Sequence, residues 1–255
     1  VSDDEVLVER RGAVQVITIN RPQARNALNA TVAQAVAAAV DELDASDELR
    51  AAVLTGAGGF FSAGMDLKAF LRGETPAIEG RGLCGITRTP PRKPLVAAVE
   101  GGALAGGFEL VLACDLVVAG RSARFGVPEV KRSLVAAGGA ALLLPQRVPR
   151  AVALELLLTG DPIDAGRAES VGLVNRVVDD GTALDAAVGL AEAIAANGPL
   201  AVAATKEVVL TAPAWSPDEA WERQDEVVRP VFASEDAREG STAFAEKRAP
   251  LWRGR

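Results

Sequence analysis

The stretch Gly101–Asp115, GGALAGGFELVLACD, restricts what this chain can fold into more than any other. It follows the apolar run Pro94–Val99 (PLVAAV), so the order predicts a buried strand, a glycine-rich turn and an apolar helix. Glycines let backbone approach a ligand closely, and the helix that follows leaves its first N–H groups unpaired and pointing out of its end. Such an end favours negative charge. A developing oxyanion fits it, and Glu109, one turn into the helix, is placed to reach the same ligand.

Histidine is absent from all 255 residues. That removes the commonest general base, and with it Ser-His-Asp, Cys-His and HExxH chemistries. The two cysteines, Cys84 and Cys114, have no zinc-ligand spacing and no disulfide framework, which suits a reduced, cytoplasmic setting. Lys plus Arg number 27 against 34 Asp plus Glu, a formal net charge of −7, which argues against nucleic acid or an anionic membrane as partner. The short basic piece Arg88–Lys93 can still meet phosphates locally. The opening VSDDEVLVER lacks the basic start and apolar core of a secretory signal, and no apolar run approaches the roughly 20 residues of a membrane span.

Along the chain, Val6–Arg10 and Ala13–Asn20 alternate as a strand pair around Gly12. Asn29 is placed to cap a helix over Thr31–Ala45, whose Val32, Val36, Ala39, Val40 and Leu43 share a face. Ala51–Thr55 reads as a buried strand, followed by the turn Gly56–Gly59 and by FFSAGMDLKAFL. This is a second strand, glycine turn and short helix, and two such units can aim two backbone N–H groups at one atom. Arg72–Arg92 is polar, punctuated by Gly and Pro, and reads as a loop near the site that helps, with the helical tail, to set a ligand pocket. Asp115–Ala119, Ala123–Phe125 and Gly172–Val178 read as strands; Gly138–Leu144 and Ala151–Leu158 read as helices, the latter stopped by Gly160. From Thr182 onward the pattern is helical, over Ala183–Ala196, Leu200–Thr211, Pro217–Ala233 and Asp236–Lys247.

Nucleotide motifs fail on inspection. Gly101–Gly106 fits G-x-x-x-x-G but continues Gly107-Phe108 instead of Lys-Ser/Thr, and the GAGG turn lacks the last glycine of a dinucleotide fingerprint. Glu109 and Glu129 each have a bland reading, as an acidic residue favoured by the helix dipole and as a solvated carboxylate at a turn. Asp66 reads as the cap of the helix starting at Leu67, and Cys114 as a small core hydrophobe.

Together, FSAGMDL (Phe61–Leu67), EGGALAGGFELVLACDLVVAG (Glu100–Gly120), FGVPEV (Phe125–Val130) and EGSTAFAEKRAPLW (Glu239–Trp252) resemble the enoyl-CoA hydratase/isomerase family, the crotonases. The resemblance runs from NRPQARNALN (Asn20–Asn29) to the C-terminus. It implies an α/β fold, the ClpP/crotonase-like spiral of repeated ββα units over residues 1–197, with a helical trimerisation region over 198–255. It also implies that the N–H groups of Met65 and Gly106 form an oxyanion hole for an acyl-thioester carbonyl. Glu109 then holds and deprotonates a water, and Glu129 protonates the alpha carbon. Ala24, Arg25, Ala27, Ser62, Ala63, Gly64, Asp66 and Leu67 match the surface that holds coenzyme A, and Lys247 matches a lysine that reaches its phosphates from a neighbouring subunit. Coenzyme A is part of the substrate, so neither a resident cofactor nor a metal is implied; the partners are the acyl-CoA and further copies of the chain in a homotrimer or hexamer.

The activity implied is reversible hydration of a 2-enoyl-CoA. An isomerase, a specialised dehydratase of the carnitinyl-CoA type and a catalytically silent acyl-CoA-binding member are the alternatives. Two departures bear on the choice. Where family hydratases continue after the second glutamate with a Gly-Thr-Ile-Pro-Gly-Ala-Gly-Gly-like run, Val130–Gly139 reads VKRSLVAAGG, with its glycine pair one position earlier. Ala105 stands where the first of three glycines is usual.

Overall fold

The computed structural model describes residues 4–255, so the first three residues of the acidic N-terminal stretch lie outside the described residues. Strands β1 (Val6–Arg11) and β2 (Val14–Ile19) pair antiparallel, Val6 opposite Ile19 and Arg11 opposite Val14. Gly12 makes their tight turn at φ +59°. Helix α1 (Ala30–Ala45) begins where Asn29 Oδ1 accepts from the Val32 N–H at 2.8 Å, and the expected apolar stripe is buried. Strand β3 (Ala51–Gly56) leads through a 3-10 turn at Ala57–Gly59 to the short helix α2 (Leu67–Leu71).

Residues 72–92 depart from the open loop expected of them. Strands β4 (Ala77–Ile78) and β5 (Gly82–Leu83) form a small hairpin, and Leu83, Cys84 and Ile86 are buried behind it. Two-residue strands leave too little periodicity to read. The next unit is β6 (Leu95–Val99), β7 (Gly102–Leu104) and α3 (Gly106–Ala113). Of the glycine-rich turn that precedes the expected helix, Gly102–Leu104 forms a strand. A Cβ on Gly102 would lie 2.7 Å from the Phe60 ring, which would have to shift to make room.

Strands β8 (Leu116–Gly120) and β9 (Arg124–Gly126) are followed by a 3-10 turn at Pro128–Arg132, then α4 (Ala140–Arg147) and α5 (Arg150–Thr159). Gly160 closes α5 at φ +67°, as anticipated. A short β10 (Ile163–Asp164), α6 (Ala165–Ser170), β11 (Arg176–Val178) and α7 (Ala183–Ala195) complete the body; β10 and α6 carry no clear signal in the sequence.

The main sheet runs β1-β2-β3-β6-β8-β11, parallel in every pairing after the first. Parallel central strands are covered on both faces, which is why they read as continuous apolar runs. One face, with Val14, Val16, Val53, Val96 and Val118, packs on the alanine stripe of α7, Ala183, Ala187, Ala191 and Ala195. The other face, with Ile17, Leu54, Ala97 and Val117, belongs to the larger core that also takes in α1 and α3. A second sheet, β10-β9-β7, holds the start of α3 against the turn that carries Glu129.

The tail is helical, α8 (Pro199–Thr211), α9 (Ala220–Phe232) and α10 (Glu235–Glu246). It is moored to the body where Lys206 Nζ donates to Asp115 Oδ2 at 2.7 Å and Trp252 Nε1 donates to the Ala196 carbonyl at 2.8 Å. Its apolar side chains Trp221, Phe232 and Phe244 are exposed. Among the described residues no single helix is long and apolar enough to cross a membrane.

Candidate active site

The two glycine turns meet. Gly64 adopts φ +89°, and a Cβ built on it would lie 2.7 Å from Ala105 Cβ and 2.8 Å from the Gly106 nitrogen. Leu28 bridges to Met65 in parallel fashion, its N–H donating to the Gly64 carbonyl and its carbonyl accepting from the Asp66 N–H, both at 2.8 Å. The Met65 N–H is thereby left outside that ladder. The Gly106 N–H is the first of α3 and has no partner within the helix. Both expected donors therefore come from adjoining segments, and among the described residues neither is spent on another acceptor.

Ala105, which joins β7 to α3, sits at φ +51°, ψ −128°. Backbone of this kind suits glycine, and holding alanine in it costs on the order of 1–3 kcal/mol. Its N–H is anchored on the Gly126 carbonyl at 2.9 Å, which ties this turn to the strand leading to Glu129. The rings of Phe108 and Phe125, 5.8 Å apart and tilted by 57°, fasten the same two elements through their side chains.

The glutamates have unlike surroundings. Glu109 is buried on α3, and its Oε1 accepts from the Ala140 N–H at 3.0 Å, with further help from the Gly138 and Gly139 N–H groups. The displaced glycine pair thus serves Glu109: a Cβ on Gly138 would collide with its carboxylate. Burial pushes the Glu109 carboxyl above the ordinary range, and the three backbone donors oppose that shift. Glu129 is half-buried in the 3-10 turn, and its Oε2 is buried without a hydrogen-bond partner among the described residues. Burial raises its pKa as well. Its own backbone N–H pulls the other way, and the nearby charge of Glu109 pushes it further up.

Glu129 also lines an apolar cavity of about 480 Å³, walled by residues of the 127–136 segment and by Leu154, Leu157 and Leu158 of α5, with Arg150 among them. The 72–92 segment and the tail, expected to shape a pocket, do not line this one. The 72–92 segment instead sends Leu83 towards Gly106, its Cδ2 3.2 Å from where a side chain on that glycine would begin.

The remaining candidates fall into three groups. Ala24, Arg25 and Ala27 form a tight bend, with Arg25 at φ +51°, that is joined to the other segment by the Ala63 N–H donating to the Arg25 carbonyl at 2.9 Å. Asp66 caps α2, accepting from the Lys68 and Ala69 N–H groups at 3.0 and 3.1 Å and from Arg21 Nη2 at 3.0 Å. Burial works against ionisation of Asp66, but those hydrogen bonds prevail and hold its carboxyl below the usual range. Leu67 projects at 55% exposure beside it. Ser62 lies beneath this surface, fully buried with its hydroxyl committed to internal hydrogen bonds. Lys247 stands apart, an exposed residue closing α10 at φ +56°.

Three contributors escaped the sequence reading. Arg21 links Asp66, Glu5 and the Ala27 carbonyl. Asn26, fully buried at φ +54°, donates from Nδ2 to the Ala57 and Phe60 carbonyls at 2.9 and 2.5 Å. Ala140 supplies the N–H that Glu109 accepts. An asparagine just after a proline turn is the kind of signal that could have exposed one of them, since Asn tolerates left-handed backbone.

Residues 9–255 match the family described as Enoyl-CoA hydratase/isomerase. The chain is 44% identical over 261 residues to Enoyl-CoA hydratase EchA19 of Mycobacterium tuberculosis, an alignment covering 100% of this chain and 98% of that protein. It is 41% identical to the Carnitinyl-CoA dehydratase of Salmonella typhi, across 96% of this chain and 97% of that one. The crystal structure of enoyl-CoA hydratase EchA1 from Mycobacterium marinum matches the fold with a TM-score of 0.98 at 58% identity, covering 99% of this chain and 100% of that chain.

Proposed function

Because the chain belongs to the enoyl-CoA hydratase/isomerase family, we propose that it is a hydro-lyase in which Met65, Gly106, Glu109 and Glu129 add water reversibly to a 2-enoyl-CoA. The product is a 3-hydroxyacyl-CoA. The observation that carries the reading is the pair of glutamates in one site with opposite hydrogen bonding: Glu109 held by backbone donors, Glu129 with a buried oxygen that has no partner among the described residues.

The thioester carbonyl accepts from the Met65 and Gly106 N–H groups, which stabilise the enolate oxygen as negative charge builds there. One preorganised donor of this type contributes about 3–4 kcal/mol to the barrier. Backbone N–H groups favour the ionised form of Glu109, so it is the base that orients a water and takes its proton while the oxygen bonds to the beta carbon. Glu129 bears the proton that the pair shares, because two adjacent charged carboxylates repel, and it delivers that proton to the alpha carbon. One proton has entered at Glu109 and one has left from Glu129, and transfer between them resets the site.

The bend at Ala24–Ala27 and the Ala63–Leu67 segment suit the coenzyme A part of the substrate, which therefore needs no resident cofactor. The exposed aromatic residues of the 198–255 region suit a homotrimer, singly or paired as a hexamer, in which Lys247 of one copy reaches the coenzyme of another. A carnitinyl-CoA dehydratase would run the same chemistry in reverse, and the 41% identical relative gives that reading weight. Arg150 in the cavity wall weighs against it, because a carnitinyl group carries a fixed positive charge. The test is loss of the conjugated enoyl-thioester absorbance when crotonyl-CoA is added. Rapid loss, with the same equilibrium reached from 3-hydroxybutyryl-CoA, is expected; tight binding without loss would contradict the reading.

A further inference from the structure

We propose that Ser62 is a positioning residue that sets the two oxyanion donors against each other, an assignment resting on the oxyanion reading above. Among the described residues, Ser62 alone is hydrogen-bonded to both glycine turns through different groups. Its backbone pairs with β7, the N–H donating to the Gly102 carbonyl at 3.1 Å and the carbonyl accepting from the Leu104 N–H at 2.9 Å. Two residues past the end of β7, at the start of α3, lies the Gly106 N–H. Its hydroxyl donates to the Asn26 carbonyl at 2.8 Å and accepts from the Gly64 N–H at 3.1 Å, immediately before the Met65 N–H.

Gly64 has no side chain to fix its conformation, and rotation of the peptides on either side of it would turn the Met65 N–H away. The Leu28 N–H holds the following peptide through the Gly64 carbonyl, and Ser62 Oγ holds the preceding one through the Gly64 N–H. Asn26, the acceptor for Ser62, is itself fixed by the Ala57 and Phe60 carbonyls and by the Arg21 N–H, which donates to its Oδ1 at 2.8 Å. Gly107 closes the last side: a Cβ there would lie 2.8 Å from Ser62 Cβ. A serine hydroxyl has one donor proton and acceptor lone pairs, and here both functions join segments of the site. Alanine would leave the buried Gly64 N–H without its acceptor.

Misplacing a donor by a fraction of an ångström acts on the transition state more than on binding, and an error of about 1 Å costs about 100-fold. Ser62→Ala is therefore expected to lower kcat about 10- to 100-fold with KM within about threefold. It should also lose most of the shift in the thioester carbonyl stretch that the wild type imposes on bound cinnamoyl-CoA. Thr55→Val removes a buried hydrogen bond of similar kind, from Thr55 Oγ1 to the Ala98 carbonyl at 2.9 Å, and should keep both kcat and the shift. Ser62→Cys retains a weaker acceptor and should fall between; if Ser62→Ala does not fold, an intermediate kcat and shift in Ser62→Cys support the assignment. Wild-type kcat and shift in Ser62→Ala, or in Ser62→Cys where it alone folds, overturn it. A wild type that neither hydrates nor shifts the carbonyl overturns the oxyanion reading, and this assignment with it.

Discussion

The two walls of the site are built on different principles. The wall made of residues 62–66 and 102–107 works through backbone, with its glycines in close contact and its turns cross-linked by Leu28, Ser62 and Gly126. The wall made of residues 127–140 works through side chains, with one carboxylate cradled and one buried oxygen of the other lacking a partner among the described residues, beside an apolar cavity. A backbone wall has almost no room for substitution, whereas a side-chain wall can change chemistry one residue at a time. On the proposed function, the thioester grip is the part least open to substitution, and acyl preference and reaction are the adjustable part.

The sharpest way to break this contrast is to remove the proposed proton donor of the adjustable wall. Glu129→Gln should lower kcat by about 1,000-fold, as expected for loss of a positioned acid, without loss of thermal stability. Its steady-state rate and melting temperature decide the point. Next in size, Gly64→Ala places a methyl 2.7 Å from Ala105 Cβ at a φ of +89°. Steady-state kinetics should show a fall of about 100-fold, and denaturant unfolding a loss of about 2–3 kcal/mol. Stability with little activity marks the side-chain wall; loss of both marks the backbone wall.

Titration separates the walls by sign. Asp66 has a folded pKa below its unfolded value, so the stability it contributes is present above the unfolded carboxylate range and fades as pH falls through the folded one. Glu109 and Glu129 have raised folded pKa values. Below the unfolded range their contribution is fully present, and it is lost as pH rises through their folded values. Unfolding curves collected from pH 4 to 8 should show the wild type losing stability towards neutrality relative to the double variant Glu109→Gln/Glu129→Gln. A constant difference across that range would contradict the assigned shifts. Smallest is Ala105→Gly, which relieves the φ of +51° but adds freedom to the unfolded chain. It should gain up to about 1 kcal/mol in denaturant unfolding with kcat within about twofold.

The same division governed what could be read from the residues alone. Glycine turns, the caps at Asn29 and Asp66 and the apolar strand runs are local consequences of side-chain shape, and they are legible in the sequence. Met65, Gly106, Glu109 and Glu129 were reached by combining those turns with the resemblance. What stayed hidden depends on contacts between distant segments. The Gly138–Ala140 cradle is tied to Glu109 across some thirty positions, and Ser62 looked like part of a ligand surface because its burial is decided by Asn26 and β7. The 77–83 hairpin was missed because strands of two residues carry no alternation, and β7 because its flanking glycines read as a turn.

The division of labour between the glutamates is the central claim, and exchange of the alpha protons of butyryl-CoA in heavy water tests it most directly. Butyryl-CoA has no conjugated double bond to hydrate, so exchange needs only the oxyanion donors and the residue that faces the alpha carbon. Glu109→Gln should lose hydration of crotonyl-CoA yet retain exchange, whereas Glu129→Gln should lose both. Exchange that survives in Glu129→Gln and disappears in Glu109→Gln would contradict the assignment.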